Sequence, residues 1–223
     1  MSNPLTRQEI YLGSFYALFQ FLVLPQLALI AAQLTGLSVW ILQVAVFAVN
    51  FLSCLLIYHR FFLNSFRTAM DAPLKTLGYA LLGLLLYYVC TYLISTLILL
   101  LRPDYRNLND ASISTMVQQS RFWLTIGTVL FVPAAEEAIF RGLLFRAVYD
   151  RNSLAAWVLS ASLFSIVHIA GYLGSYDGIQ LLLAFLQYLP AGILFAFIYK
   201  KTDTIVTPVL THTCINLIGM CLM

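Results

Sequence analysis

The stretch Leu77 to Leu101, LGYALLGLLLYYVCTYLISTLILLL, holds no charged residue. A helix rises about 1.5 Å per residue and needs about 20 mostly apolar residues to cross the hydrocarbon core of a bilayer. This stretch is long enough to cross. Comparable runs flank it: Tyr11 to Leu34 and Val39 to Tyr58 before, then Phe122 to Val148, Leu154 to Leu173, Ile179 to Tyr199 and Ile205 to Leu222 after. The pattern predicts an all-α, polytopic transmembrane helical bundle of about seven helices, a single membrane-embedded domain over residues 1–223. Composition points the same way, with 61% hydrophobic and 9% charged residues. Soluble domains carry about a quarter charged residues, so a water-facing surface cannot be built from so few.

The formal charge of +3 is too small to argue for nucleic acid, and no nucleic-acid partner is expected. The basic residues sit between the apolar runs, where membrane topology accounts for them. With the N-terminus in the cytoplasm, Arg7, Arg60, Arg67, Lys75, Arg146, Arg151, Lys200 and Lys201 fall on the cytoplasmic side. Only Arg102, Arg106 and Arg121 fall opposite. The bias predicts a cytoplasmic N-terminus in an integral membrane protein, placed in the bacterial cytoplasmic membrane. Arg7 is followed by Glu9 and the first apolar run exceeds a signal-peptide core, so a retained first helix is expected. Cys54, Cys90, Cys214 and Cys221 lie inside apolar runs without CxxC spacing, which indicates neither a disulfide framework nor a thiolate zinc site. The polar stretch from Arg102 to Arg121 reads as an extramembrane loop carrying a short surface helix.

Glu136 and Glu137 are adjacent carboxylates deep in the fourth apolar segment, where ionisable side chains are costly and mark functional sites by default. Arg141 follows Glu137 by four residues on the same helical face, so these two can pair. Glu136 is left without that partner, and a carboxylate in such a layer suits general-base work. A structural ion pair or a transport site fits the carboxylates equally well. His168 lies near the end of the fifth segment, and His212 in the seventh has Asn216 one turn later on the same face. A single intramembrane His is more often a helix-to-helix hydrogen bonder; the coincidence of several is the informative feature. Counted at about 1.5 Å per residue, Glu136 lies roughly 20 Å, His168 roughly 22 Å and His212 roughly 10 to 12 Å from the cytoplasmic helix ends. A kink at Pro133 brings one shared layer near mid-membrane within reach.

One free carboxylate, two imidazoles and an amide are the parts needed to hydrolyse an amide bond. Glu136 takes a proton from water with help from His168, and His212 and Asn216 donate to the developing oxyanion. The same Glu136, His168 and His212 are also a zinc set of the kind found in catalytic sites, so zinc stands as the alternative to a cofactor-free site.

Three motifs in order carry a family resemblance. EExxxR stands as Glu136, Glu137 and Arg141 within AAEEAIFRGLLF, FxxxH as Phe164 and His168 within SLFSIVHIA, and HxxxN as His212 and Asn216 within THTCINL. On these residues the chain resembles the CPBP intramembrane proteases, which include the CAAX prenyl-protein endopeptidases and bacterial relatives linked to bacteriocin processing or self-immunity. The resemblance covers about Phe131 to Leu217, inside a motif-bearing region of residues 122–223; the first three helices carry no motif. It implies a glutamic intramembrane endopeptidase in which Glu136 and His168 activate water, His212 and Asn216 form the oxyanion hole, and Glu137 and Arg141 orient the site with Phe164 in support. The absence of an obvious further ligand near either His favours the metal-free version. The implied partners are the lipid bilayer and a membrane peptide or lipidated protein substrate. Seven residues follow Asn216, so the closing helix of longer prenyl-protein proteases is not expected. Two other classes remain: a proton- or ion-coupled transporter, which does not require the histidines and asparagine, and a catalytically idle immunity or scaffold protein, whose phenotype survives loss of Glu136.

Overall fold

The computed structural model describes residues 4–223. Ten helices and no strands are found among them. They run α1 Arg7–Leu22, α2 Leu24–Thr35, α3 Val39–Ile57, α4 His59–Asp71, α5 Pro73–Leu101, α6 Leu108–Val117, α7 Arg121–Tyr149, α8 Ser153–Tyr172, α9 Gly178–Thr202 and α10 Val206–Leu222. The chain is an all-α polytopic bundle. Helices α3, α5, α7, α8 and α9 are long and apolar enough to cross a membrane, and the bent pair α1 and α2 qualifies as a sixth span. The seventh apolar segment, α10, is shorter at 17 residues.

The first apolar run is not one straight helix. It breaks at Val23 into α1 and α2 with a bend of 43°. Pro25 sits in the first turn of α2, where its missing N–H is tolerated, whereas a continuous helix would have lost a hydrogen bond there. Gly36 ends α2 in the left-handed conformation at φ 66°, a geometry glycine adopts without strain. Residues 59–71, between the second and third apolar runs, form α4. Its buried positions Phe61, Ser65 and Ala69 recur every four residues, so one stripe packs inward while Arg60, Leu63 and Phe66 stay exposed. The hydroxyl of Thr204 donates to the Ser65 carbonyl at 2.7 Å, tying α4 to the turn between α9 and α10.

Half of the apolar window of α7 is buried, against 6% for α3 and α5. The bundle is therefore organised around α7, with α3 and α5 turning bare leucines outward: Leu56 on α3 and Leu74, Leu85 and Leu100 on α5 are all more than 60% exposed. Such apolar exposure suits a lipid surround, where leucine side chains have no reason to hide from the solvent. At one end of α7, Phe145 and Ile139 pack with Tyr58, Phe61 and Tyr199. Beside its middle, Phe140, Phe164, Phe195 and Ile198 form a second cluster. Helices α8 and α9 approach closely because Gly192 has no side chain. A Cβ there would stand 2.8 Å from the Ala161 Cα and 2.9 Å from its carbonyl oxygen.

Candidate active site

Helix α7 presents the two glutamates from an irregular backbone. A short α-helical piece, Val132–Glu137, lies between two π-helical segments, Gly127–Phe131 and Ala138–Phe145. π turns are rare and occur mostly at functional sites. Adjacent residues on a helix point about 100° apart, and the two carboxylates diverge accordingly. Glu136 is partly buried and lines a cavity of about 530 Å³, whereas Glu137 is fully buried and faces the other motifs.

Glu137 is a junction. Its Oε1 accepts from Arg141 Nη1 at 3.1 Å and is 3.0 Å from His212 Nδ1. The second arm of Arg141 donates from Nη2 to the Gly192 carbonyl at 3.0 Å. The guanidinium also lies 4.7 Å from the Phe164 ring centroid and 5.0 Å from that of Phe195, which adds cation–π attraction in a dry setting. Arg141, fully buried, thus has charge, hydrogen-bond and ring partners from α7, α8 and α9. Phe164 serves as a platform: its ring also lies 4.6 Å from His168 and edge-on to His212 at 6.0 Å.

Hydrogen bonding decides the tautomers. His168 Nδ1 is 2.7 Å from the Phe164 carbonyl, and a carbonyl oxygen only accepts, so Nδ1 carries the proton and neutral His168 keeps a lone pair on Nε2. For His212 the carboxylate of Glu137, already paired with Arg141, accepts from Nδ1–H. His212 Nε2 then points to Glu136, at 4.0 Å from Oε2. That separation exceeds a hydrogen bond, but an oxygen about 2.8 Å from each atom fits between them. Among the described residues, Glu136 Oε2 has no hydrogen-bond partner of its own. Asn216 donates from Nδ2 to the Thr128 carbonyl at 2.8 Å, which fixes the amide while leaving its second N–H. Glu136, His168, His212 and Asn216 all line the one cavity.

The zinc alternative asks whether Glu136, His168 and His212 converge. Among the described residues no three His, Cys, Asp or Glu side chains form a group that could hold a metal ion.

Sequence spacing did not reveal several residues that complete the site. Tyr188 stacks on His168 at 4.3 Å and Phe195 on His212 at 4.9 Å, so each imidazole plane is set by a ring of α9. Helix α6 lies over the cavity, contributing Asp110, Ile113 and Met116 to its wall. The connection before α6 is strapped to α9: the Tyr105 hydroxyl and Asn107 Nδ2 donate to Gln187 Oε1 at 2.8 and 2.9 Å, and the Tyr188 hydroxyl donates to Asn107 Oδ1 at 3.0 Å. The clue available was the density of amides and tyrosines in these apolar segments. Asp177, exposed in the loop before α9, also caps that helix by accepting from the Gln180 N–H at 2.8 Å.

Residues 118–218 match the Rce1-like family, described as type II CAAX prenyl endopeptidase Rce1-like. That segment is similar to this family over 118–218. All seven motif residues from Glu136 to Asn216 fall inside the Rce1-like segment. The chain is also similar to the "Putative membrane peptidase YdiL" of Bacillus subtilis (strain 168), with 31% identity over 109 residues, 48% of this chain. The match spans 40% of that relative's length. No solved structure matches. The apolar helices support a membrane-integrated protein, and the matched segment is similar to a peptidase family.

Proposed function

We propose that this protein is an intramembrane endopeptidase that hydrolyses a peptide bond of a membrane-associated or lipidated protein with a glutamate-activated water. The reading is carried by one observation: the Glu136 oxygen, unpartnered among the described residues, shares a cavity with His168, His212 and Asn216. Glu136 accepts a proton from water, and the Nε2 lone pair of His168 takes the hydrogen bond of the other O–H. The water oxygen bonds to the carbonyl carbon and the C=O electron pair moves onto oxygen. Asn216 Nδ2–H and, with both its ring nitrogens protonated, His212 Nε2–H hold that oxyanion. The charges of Glu136, Glu137, Arg141 and His212 then cancel, which limits the cost of the site in lipid. Collapse breaks the C–N bond, and Glu136 returns its proton to the leaving amine.

Each step uses side chains of this chain, so the proposed chemistry is metal-free. The orientation proposed has the N-terminus cytoplasmic and the loop before α6 opposite, testable by one-sided labelling of Asp104→Cys in a protein without its native cysteines. The deciding experiment for the function is peptide cleavage in detergent by Glu136→Gln, which keeps the shape and removes the proton acceptor. Cleavage drops by at least about two orders of magnitude with unchanged thermal unfolding. Near-native cleavage by the folded variant overturns the assignment.

A further inference from the structure

The wall of the cavity built by α1 and α3 carries polar groups that the chemistry above does not use. Gln20 is 7% exposed, lines the cavity and has, among the described residues, no hydrogen-bond partner for Oε1. A buried acceptor left alone in an apolar surround is costly and calls for an explanation. On α3, Gln43, Phe47 and Asn50 follow at four- and three-residue intervals and share the cavity-facing stripe. Phe47 packs so closely on Gly127 that a Cβ there would stand 2.7 Å from its ring, which sets this stripe directly beside the start of the π-helical segment of α7. The next residue, Thr128, is 8% exposed and its hydroxyl also lacks a partner. Thr128, Val132 and Glu136 line the same wall one turn apart, so the polar positions lead toward the proposed base. Asn50 is pre-oriented: its Oδ1 accepts from the Tyr16 hydroxyl at 2.7 Å, which leaves its two N–H groups as the free end.

A peptide bond inside a helix has its carbonyl occupied and its faces covered, so it must be unwound before water can attack it. Unwinding within a membrane strips the main chain of its hydrogen-bond partners, which lipid cannot replace. Side-chain amides offer both a donor and an acceptor, the pair that an extended main chain presents residue by residue. We propose that Gln20, Gln43, Asn50 and Thr128 form a docking strip that binds an unwound segment of the substrate by its main chain and delivers it to Glu136. The α1 and α3 lining contains no charged residue, and Phe21, Val46 and Phe47 furnish apolar surface between the amides. The occupant is therefore an extended peptide segment with uncharged, apolar side chains. This inference rests on the protease reading for its purpose, but binding can be measured without cleavage.

The probe is a fluorescent synthetic peptide of leucines and alanines with a central Pro-Gly pair, titrated in detergent into folded Glu136→Gln protein. Adding Gln20→Leu or Asn50→Leu weakens binding about tenfold, the scale of one lost hydrogen bond. A peptide N-methylated at the main-chain position that Gln20 serves binds the parent about tenfold more weakly and the Gln20→Leu protein no more weakly than the unmethylated peptide does. In otherwise native protein the same substitutions raise KM while kcat stays within about threefold, since only ground-state binding is removed. Thermal unfolding of each variant confirms the fold, and the methylated-peptide arm on unaltered Gln20 protein stands even if a variant fails to fold. Absent binding, equal binding by all variants, or losses in kcat alone overturn the strip. Amide-dependent binding by a native protein that cleaves nothing retains the strip and removes the protease reading. Cleavage indifferent to Gln20 and Asn50 does the reverse.

Discussion

His212 and Glu137, 75 residues apart, meet at 3.0 Å between Nδ1 and Oε1, on the oxygen that also takes Arg141. The buried ion pair and the imidazole facing the cavity are therefore one unit. Arg141 holds the carboxylate, the carboxylate orients the ring through Nδ1–H, and the ring presents Nε2 to Glu136.

Glu137→Gln strips the buried Arg141 of its counter-charge and leaves His212 Nδ1 facing a neutral amide in place of a carboxylate. Removing one partner of a buried pair costs about 3–5 kcal/mol, so thermal unfolding shifts down sharply and cleavage falls in whatever fraction remains folded. Pairing it with Arg141→Met recovers much of the stability and none of the activity, because the protonated His212 ring still lacks its carboxylate. A fully stable Glu137→Gln single variant would contradict this coupling.

Thorough chelation, followed by dialysis, leaves cleavage within about twofold of its starting value if Glu136 activates water without a metal. Complete loss that stoichiometric zinc restores would move Glu136, His168 and His212 into ligand roles.

Gly192→Ala pushes a methyl group into the backbone of Ala161 and displaces the carbonyl that binds Arg141. Overpacking of this kind costs about 1–3 kcal/mol, and the shift reaches His212 through Arg141 and Glu137. Gly78→Ala on α5, where nothing lies within 4 Å of the added Cβ, gains about 0.4–1 kcal/mol instead. Unfolding curves for the two variants that move in the same direction would refute the packing assignment.

Asp177 provides a pH-dependent test outside the membrane. The Gln180 N–H it accepts, with Arg102 nearby, holds its carboxyl below the usual carboxylate range. The folded carboxyl is more acidic than the unfolded one, so its stabilisation is present above the unfolded value of about 3.9 and fades as pH falls through the folded value. Asp177→Ala lowers the unfolding temperature at pH 7, and the difference from the parent shrinks at pH 3. A constant difference would assign the effect to something other than the charged cap.

The bundle was legible because crossing a bilayer demands long apolar runs, and those runs are plain in the chain from Tyr11 to Leu222. The break at Val23 was less so, although Pro25 is the residue that permits it. Helix α4 escaped notice because Phe61, Ser65 and Ala69 form a stripe rather than a run, and apolar length alone does not detect it. At the site, local spacing brought out the Glu137 and Arg141 pair, since i to i+4 geometry is a property of one helix. The contacts of Glu137 with His212, of Arg141 with the Gly192 carbonyl and of Asn216 with the Thr128 carbonyl join segments 51 to 88 residues apart. No periodicity encodes such pairings; they depend on which helices lie side by side. The placement of α6 over the cavity is of the same kind.

The paired π turns of α7 make residue counting and direction different measures. Each wide turn absorbs an extra residue, and a one-residue change of register rotates everything beyond it by about 100°. A single deletion between Gly127 and Phe131 would thus leave the letters of the EExxxR string intact while turning Glu136 away from the cavity relative to the preceding turn. The information that aims the carboxylate resides in part in that surplus residue, so an alignment gap in α7 is a change of bearing, and the length of this helix is as much a component of the site as the side chains it carries.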